Sequence, residues 1–271
     1  MKTALARLWG HAWRLGALIL VSVAALQLYF LARVALMAVV DPQSTAFQRS
    51  EAWRLLVEKN RIEWSQQWAD YERISSNLKR AVIASEDAGF ADHSGVQWDA
   101  IERAWERNQQ AEARAARINA ERERRAARRQ GRRATSAQAA PKPPARVQAK
   151  VVGGSTITQQ LAKNLFLGSE RSFARKGQEI VVTFMLESLL SKQRILEIYL
   201  NSVEWGEGVF GAEAAARHYF HVGADRLGAR AAAQLAVMLP APKRFEKRPH
   251  SAYVIGRAGT VMARMGAVEP P

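Results

Sequence analysis

The chain has 271 residues, 48% of them hydrophobic, and contains no cysteine. That length is enough for one sizeable core and an anchor, but too short for two large enzymatic domains. The lack of cysteine excludes disulfides, thiolate metal sites and cysteine nucleophiles, and it is neutral about the cellular compartment. The formal net charge of +15 indicates a polyanionic partner, such as nucleic acid, anionic lipid or a phosphate-bearing substrate.

An apolar segment near the N-terminus predicts a membrane anchor. Residues 15–32 contain Gln27 as their only strongly polar member, and apolar residues continue to position 40. A helix needs roughly 20 such residues to cross the hydrocarbon core. A buried core helix would show a polar stripe, and we find no convincing signal-peptide cleavage site. We therefore expect an uncleaved transmembrane anchor over residues 15–40.

Basic residues indicate the orientation of this anchor. Lys2, Arg7 and Arg14 precede the span, and positive charges favour the cytoplasmic side. We expect residues 1–14 to be a cytoplasmic N-terminus and the bulk of the chain to lie on the other side of the membrane.

A polar, tryptophan-containing segment follows at residues 41–71, and we interpret it as membrane-proximal. The spacing of Leu56, Trp64, Trp68 and Tyr71 predicts a helix near the bilayer surface. We interpret these aromatic residues as packing residues and assign them no chemistry.

Residues 106–150 differ from the rest of the chain in composition. From Arg103 to Lys150 there are twelve Arg and two Lys against four Glu, a local net charge of +10. The first part is rich in Ala, Arg and Glu, which favour helix, and the remainder is rich in Thr, Ser, Ala and Pro. We predict a solvated charged helix that leads into a flexible linker, and disorder rather than a specific function for this basic insertion.

Beyond residue 151 the sequence predicts a mainly helical globular domain. Ile157, Leu161 and Leu165 are four apart and share one helical face, and Thr156 with Gln159 predicts a capping box. Further helices are predicted after Ser172, after Ser191, after the glycine-rich turn 205–211, and over 229–239, where Pro240 ends the last one. No segment shows sustained strand alternation, so we predict a mainly α fold.

The first candidate site is an acidic cluster that follows the amphipathic run 78–85. Glu86, Asp87, Phe90 and His93 lie within eight positions. A carboxylate at a helix end before a glycine turn can present a general base to a cleft. Taken alone, the cluster is explained better by ordinary polar termination of a helix.

The second candidate site is the segment Gly-Gly-Ser-Thr at 153–156, which includes Ser155. Small residues at a helix N-terminus expose backbone N–H groups to an anionic ligand, although a simple glycine turn explains them equally well. One turn further, Gln160, Lys163 and Asn164 share one helical face.

The third candidate site contains Arg171, Arg175, Lys176 and Glu179. One interpretation is a surface ion pair between Arg175 and Glu179, worth a few tenths of a kcal/mol. The other is a cationic cluster that holds a pyrophosphate, with a carboxylate that positions the cations.

In their order and amino-acid sequence, four segments resemble the signature of the family 51 glycosyltransferases. These are peptidoglycan transglycosylases that also occur as the N-terminal domain of bifunctional penicillin-binding proteins. The segments are EDAGFADHSG at 86–95, GGSTITQQLAKNLFL at 153–167, RKGQE at 175–179 and KQRILEIYLN at 192–201. The resemblance covers roughly residues 72–250, and it implies a lysozyme-like helical glycosyltransferase domain there, with residues 251–271 as a C-terminal tail.

The resemblance also implies a reaction: lipid II is polymerised into β-1,4-linked glycan with inversion, and undecaprenyl pyrophosphate is released. Glu86 matches the general base that deprotonates the acceptor sugar's 4-hydroxyl, and Glu179 matches a second important carboxylate. The other candidate residues are expected to bind substrate: Asp87, Phe90, His93, Ser155, Gln160, Lys163, Asn164, Arg171, Arg175 and Lys176.

The expected partners follow from the same resemblance: lipid II, the growing glycan strand, membrane lipid, and other proteins of cell-wall synthesis and division, but not nucleic acid. The sequence itself requires no cofactor and shows no certain metal ligands, although the family raises the expectation of Mg²⁺ or Mn²⁺. The enzyme is expected in the bacterial inner membrane, with a single span and a periplasmic catalytic domain.

No transpeptidase activity is expected. The sequence ends at Pro271, and Ser76-x-x-Lys79 is not followed by a Lys-Thr-Gly segment. Two alternative functions stay open. A lysozyme-like glycan hydrolase would use Glu86 as an acid but would not need the cationic cluster. A membrane-tethered basic binding or scaffold protein would explain the charge but none of the four segments.

Overall fold

The computed structural model of the protein describes residues 2–133, 146–147, 154–168 and 172–271. Over these residues the fold is mainly α-helical, which confirms the predicted fold class. The chain divides into two compact units. The first comprises Met1–Val96 with Thr156–Pro271, and the second comprises Gln97–Ser155.

The N-terminal helix α1, Lys2–Leu36, contains the predicted anchor. Its portion His11–Leu36 is long and apolar enough to cross a membrane, and most of its side chains are exposed to the surroundings. A helix with this composition and exposure is compatible with a single-pass membrane anchor.

The last turns of α1 pack against the rest of the first unit. Val34 is fully buried, and the rings of Phe30 and Phe166 lie 5.1 Å apart. Gln27 exchanges two hydrogen bonds with Gln178, at 2.8 and 3.0 Å. The one strongly polar residue of the apolar segment is therefore paired, which removes the cost of an unsatisfied amide.

Helix α2, Ala46–Lys59, ends before the two tryptophans that were predicted to lie on it. Asn60 adopts the left-handed conformation with φ 52°, a common way to end a helix. Trp64 lies beyond this end and stacks on Phe210 with ring centroids 4.5 Å apart. The prediction of one helix from Leu56 through Trp68 is therefore wrong.

A small sheet joins this region to the glycine-rich turn. Strand β1, Ser65–Gln66, runs parallel to β3, Val209–Phe210, and β3 pairs antiparallel with β2, Glu204–Gly206. The strand order is β1-β3-β2.

The core of the first unit is built from helices. They are α3 Ser76–Glu86, α5 Ile157–Phe166, α6 Phe173–Leu189, α7 Lys192–Ser202, α8 Ala212–Phe220, α9 Ala229–Met238, α10 Pro242–Phe245 and α11 Ala252–Met265. The predicted capping box at Thr156 is confirmed, and so are the helices predicted after Ser172 and after Ser191. The hydroxyl group of each serine caps the helix that follows it.

Helix α11 was not predicted, because no helix was expected after Pro240. It packs against α3 and α9, and Val254, Ala258 and Val261 form its buried side. Two glycines within the helix lower its intrinsic helix propensity, so packing on the core stabilises a segment that composition alone does not mark as helical.

The second unit contains α4, Trp98–Arg133. The helix predicted for the first part of the basic insertion is confirmed, and the prediction of disorder is wrong for residues 106–133, whose Ala, Arg and Glu residues favour helix. The predicted flexible linker falls largely outside the described residues. The division of the chain into anchor, membrane-proximal segment, catalytic domain, insertion and tail stays a prediction.

The chain returns along α4 at two described points. The side chain of Asn119 bonds both to the backbone N–H and to the carbonyl of Val147, at 2.8 and 2.9 Å. Gly154 lies so close to the helix that a Cβ atom there would be 3.1 Å from the carbonyl oxygen of Ala100. This approach explains why a residue without a side chain stands at position 154.

Candidate active site

Glu86 is the last residue of α3, as the sequence predicts for a carboxylate at a helix end. Its Oε2 accepts a hydrogen bond from Nε2 of Gln160, at 3.0 Å. The other end of that amide, Oε1 of Gln160, accepts from the hydroxyl of Tyr199, at 2.9 Å. Because Tyr199 is fully buried on α7, it fixes which end of the amide faces Glu86.

The surroundings of Glu86 favour a proton on its carboxyl group. Burial is the main cause that raises its pKa, and the neighbouring charge of Asp87 raises it further. Hydrogen bonds from Gln160 and Ser85 oppose the increase. A carboxylate with a raised pKa is a stronger proton acceptor than an ordinary surface glutamate once it is ionised.

Asp87 connects this loop to the start of α5. Its carboxylate accepts from the backbone N–H of Ile157, at 3.0 Å, and contacts Nε2 of His93 at 2.9 Å. The backbone N–H of Gly95 donates to Nδ1 of His93, so the proton of a neutral ring lies on Nε2. Both side chains are therefore engaged within the protein, and their predicted contact with substrate stays a prediction.

Phe90 is fully buried beneath the same loop. The ammonium group of Lys192 lies 4.7 Å from the centre of its ring and also donates to the carbonyl of His93. This arrangement stabilises the loop that follows Glu86, and it gives Phe90 a packing role whether or not it also contacts substrate.

Helix α5 carries Gln160 and Lys163 one turn apart, so their side chains are neighbours on its surface. Asn164 is half-buried beside them. Desolvation is the main cause that lowers the pKa of Lys163, and the positive charges of Arg175 and Lys176 lower it further, while Glu179 opposes them. One face of α5 thus links the surroundings of Glu86 to the cationic residues of α6.

On α6, Glu179 is buried between two cations. Its Oε2 accepts from Nη1 of Arg175 at 3.1 Å, and its Oε1 pairs with the ammonium group of Lys176. The side chain of Glu179 is 4% exposed, so these ion pairs differ from the surface pair that was the alternative interpretation. Nε of Arg175 is buried and has no hydrogen-bond partner among the described residues.

Two predicted residues are not part of this arrangement as described. Arg171 lies outside the described residues. Ser155 belongs to the second unit, where it is exposed and directly precedes the N-cap Thr156.

Tyr199 is a residue of the network that the sequence analysis did not select. The segment KQRILEIYLN predicts a helix and carries part of the family resemblance, but neither feature singles out its tyrosine. Its one hydroxyl group, on the buried face of an amphipathic helix, was the available signal, because a buried hydroxyl group requires a partner. The Ser76-x-x-Lys79 pattern has a structural explanation, since Nζ of Lys79 donates to the carbonyl of Tyr71 at 2.9 Å.

Among the described residues, no three His, Asp or Glu side chains converge in a way that could hold a metal ion. The carboxylates of Asp87 and Glu179 are already bonded to protein donors. The described part of the chain therefore does not fit a metal held by protein ligands alone.

Within the first unit, α5 thus lies between the carboxyl group of Glu86, whose pKa is raised, and a group of cations on α6. Such a pair suits transfer of a group away from an anionic leaving group. The family comparison agrees with this chemistry: the family described as Transglycosylase matches residues 55–117 and 132–266. The chain belongs to the transglycosylase family, and its match is interrupted at residues 118–131, within α4.

Proteins called biosynthetic peptidoglycan transglycosylases are similar to nearly the whole chain. The protein from Burkholderia thailandensis is 48% identical over 248 residues, which are 91% of this chain and 82% of the relative. The protein from Burkholderia orbicola is 49% identical over 91% of this chain and 86% of its own length. The protein from Paraburkholderia phytofirmans is 45% identical over 95% and 92% of the two chains.

Proposed function

We propose that this enzyme polymerises lipid II into β-1,4-linked peptidoglycan strands, inverts the donor configuration and releases undecaprenyl pyrophosphate. The family and the names of the relatives support peptidoglycan synthesis. The observation that carries the finer proposal is the isolated carboxylate of Glu86. It accepts a hydrogen bond from a neutral amide, and its pKa is raised.

On the acceptor side, Glu86 takes the proton from the 4-hydroxyl group of the incoming sugar. The freed oxygen attacks C1 of the donor sugar from the face opposite the α-linked pyrophosphate. The bond from C1 to the pyrophosphate oxygen breaks, the new bond is β, and the electron pair leaves with the pyrophosphate. The hydrogen bond from Gln160 holds the carboxylate of Glu86 in one orientation for this step.

On the donor side, fixed cations stabilise the charge that develops on the pyrophosphate. Lys163, Arg175 and Lys176 supply them, and Arg171 is proposed to add a fourth. Glu179 holds two of these cations through its ion pairs. Such preorganised charges act on the transition state without reorganisation. A hydrolase would not need this cluster, which is why synthesis is the stronger proposal.

The anchor agrees with a substrate that carries a lipid. With α1 in the inner membrane and the N-terminus in the cytoplasm, the catalytic unit would meet lipid II at the periplasmic surface. Polymerisation alone is proposed, because the sequence offers no Lys-Thr-Gly segment for transpeptidation. No step is assigned to a metal, and a requirement for Mg²⁺ or Mn²⁺ stays a prediction. Partnership with other wall-building proteins also stays a prediction.

The test is incorporation of labelled lipid II into lysozyme-sensitive polymer by the purified full chain in detergent. Glu86→Gln keeps the shape of the side chain and removes its basicity. We expect the rate to fall by about 10²–10⁴-fold, the usual contribution of a general base. Glu204→Gln is the matched control, because Glu204 is another buried glutamate with a raised pKa and is not part of this site.

The outcomes separate the alternatives. Polymer from both Glu86→Gln and the wild type would keep the function and assign the base elsewhere. Cleavage of finished glycan without polymer would support the hydrolase. Binding to glycan or lipid without any turnover would support the scaffold protein.

A further inference from the structure

We propose that Glu187 of α6 is a positioning residue for the reaction, and that it acts by holding the loop of residues 87–95 that follows Glu86. Glu187 lies outside the three candidate sites and has no step in the proposed reaction. The kinetic part of this inference rests on the proposed function, whereas the hold on the loop can be measured without turnover.

The carboxylate of Glu187 is buried and joins two other helices. Its side chain is 8% exposed. Its Oε1 accepts a hydrogen bond from the hydroxyl group of Thr158 on α5, at 2.6 Å. Both carboxylate oxygens also pair with the ammonium group of Lys192 on α7, at 2.8 and 2.9 Å. Because this pair is largely withdrawn from water, loss of either partner would leave the other charge poorly compensated.

The ammonium group of Lys192 also contacts the loop 87–95. It donates to the carbonyl of His93, at 2.5 Å, and it lies 4.7 Å from the centre of the Phe90 ring. The direction of the Lys192 side chain is thus set by Glu187 on one side and by the loop on the other. Through Lys192, Glu187 ties the loop to α6.

The end of the loop rests on Glu187 itself. Gly95 has a φ of 84°, and a Cβ atom there would lie 2.8 Å from Cγ of Glu187 and 2.7 Å from Cγ2 of Thr183. A residue without a side chain permits this approach. The carbonyl of Gly95 accepts from the hydroxyl group of Thr156, at 2.6 Å. The loop therefore ends between α6 and the start of α5.

These contacts reach the proposed base through its neighbour in the chain. The carboxylate of Asp87 contacts Nε2 of His93, at 2.9 and 3.1 Å, and Glu187 holds His93 through Lys192. Burial is the main cause that raises the pKa of Glu86. A loosened loop that admits water would therefore misorient the carboxylate of Glu86 and lower its pKa towards the ordinary value.

A second glutamate with similar contacts provides a matched control. Glu197 on α7 is 12% exposed and pairs with Arg194, at 2.7 Å, and it accepts from the backbone N–H of Tyr71, at 2.9 Å. Arg194 also donates to a carbonyl, that of Met37, and lies 5.6 Å from the ring centre of Trp68. Among the described residues, these contacts reach the anchor and the segment before α3, and not the loop 87–95.

The kinetic test compares Glu187→Gln with Glu197→Gln in the full chain, from initial rates of polymerisation against lipid II concentration across the pH profile. For Glu187→Gln we expect kcat to fall about 10- to 10²-fold and KM to change little, because the cations stay on α6. The acidic limb of the profile should move to lower pH. Glu197→Gln should lose a similar amount of thermal stability and leave the limb in place. Equal behaviour of the two variants would reduce Glu187 to a structural role and overturn the proposal.

The hold on the loop is measured separately by electron paramagnetic resonance. Because the chain contains no cysteine, the substitution Asp92→Cys places a single spin label at an exposed position of the loop. We expect the label to be more mobile in Glu187→Gln and in Lys192→Met, but not in Glu197→Gln. Unchanged mobility would overturn the proposal whatever the activity. Increased mobility together with no polymer from the wild type would support the hold on the loop and contradict the proposed function alone.

The double variant Glu187→Gln/Lys192→Met tests whether Glu187 acts through Lys192. If it does, the double variant should be no slower than the slower of the two single variants. A loss of kcat equal to the product of the two single losses would contradict this route to the loop. Lys192→Arg, which keeps the charge, should recover part of the kcat that Lys192→Met loses. Circular dichroism and thermal unfolding check that each variant is folded.

Discussion

Glu86 and Glu179 are the same residue type, and helix α5 connects them, yet their surroundings are opposite. Glu86 accepts a hydrogen bond from the neutral amide of Gln160, and burial raises its pKa. Glu179 is enclosed by Arg175 and Lys176, which both pair with it. Under the proposed function, these surroundings suit the first carboxylate to accept a proton and the second to act as a fixed negative charge that positions cations.

The contrast explains why the two roles could not be exchanged. A carboxylate that is already neutralised by two cations has little tendency to take a proton from a sugar hydroxyl. A carboxylate without cations nearby cannot hold a phosphate-binding cluster in place. Under the proposed function, substitution of the two glutamates should therefore affect kcat and KM differently.

The largest effect that follows from this contrast is expected for Glu179→Gln. It removes the charge that holds Arg175 and Lys176, so both cations lose a partner. We expect kcat/KM for lipid II to fall roughly 10²-fold, comparable to the loss of one stabilising donor. Because the pyrophosphate is charged both before and during transfer, kcat should fall and KM should rise. Initial rates of glycan formation against lipid II concentration measure it, and Glu86→Gln, which should lower kcat, is the comparison.

If Glu179→Gln changed neither kcat nor KM, the ion pairs of Glu179 would have no part in the reaction, and the proposed contrast between the two carboxylates would be wrong. Glu179→Asp, which keeps the charge on a shorter side chain, should recover part of the loss if charge is what matters.

The sequence predicted much of this site, because its residues are close together in the chain. Glu86 at a helix end, the capping box at Thr156 and the pair of Arg175 with Glu179 follow from local spacing. Contacts between distant segments could not be predicted. Gln27 was recognised as the polar exception in an apolar span, but its partner Gln178 is 151 positions away.

The same limit applies to the helices. Helix α11 owes its stability to packing on α3 and α9, and helix α2 ends because Asn60 adopts a left-handed conformation that no apolar spacing reveals. The sequence did reveal the helical propensity of the basic insertion, but its polar composition made disorder the preferred prediction. The contact of Asn119 with Val147 shows that this helix has its own packing.

A smaller effect, a shift in the pH profile of the rate, tests whether Glu86 is the base. The hydrogen bond from Gln160 lowers the Glu86 pKa, so Gln160→Leu should raise it further. Because the base must be ionised, the acidic limb of the rate profile should move to higher pH. On that limb we expect about fivefold lower activity, the equivalent of one hydrogen bond of about 1 kcal/mol.

The pH profile of kcat/KM provides the measurement, with Tyr199→Phe as a graded companion. That variant keeps Gln160 but removes the hydroxyl group that orients it, so its shift should have the same sign and be smaller. A limb that moved to lower pH in Gln160→Leu would contradict the assignment of Glu86 as the base.

The smallest expected effect is a change in thermal stability with pH. It is predicted for Glu86 and for Glu204, a buried glutamate outside the site. Burial raises the pKa of Glu204 to about 7, although Lys243 opposes the increase. A raised pKa means that the folded state favours the protonated form, so stability is lost as the pH rises through the folded-state pKa. Glu86→Gln and Glu204→Gln should both raise the melting temperature at pH 8, and the gain should vanish below the ordinary pKa of glutamate.

Thermal unfolding of the full chain in detergent from pH 4 to pH 8 measures this difference, and each kcal/mol corresponds to roughly 2–4 °C in a domain of this size. Only Glu86→Gln should also slow polymerisation strongly, because Glu204 has no part in the proposed reaction. A gain in stability that accompanies a loss of activity would show that Glu86 is kept ionisable in an unfavourable place for its chemistry. A lower melting temperature for Glu86→Gln at pH 8 would mean that the ionised carboxylate stabilises the fold, and the contrast with Glu179 would then be lost.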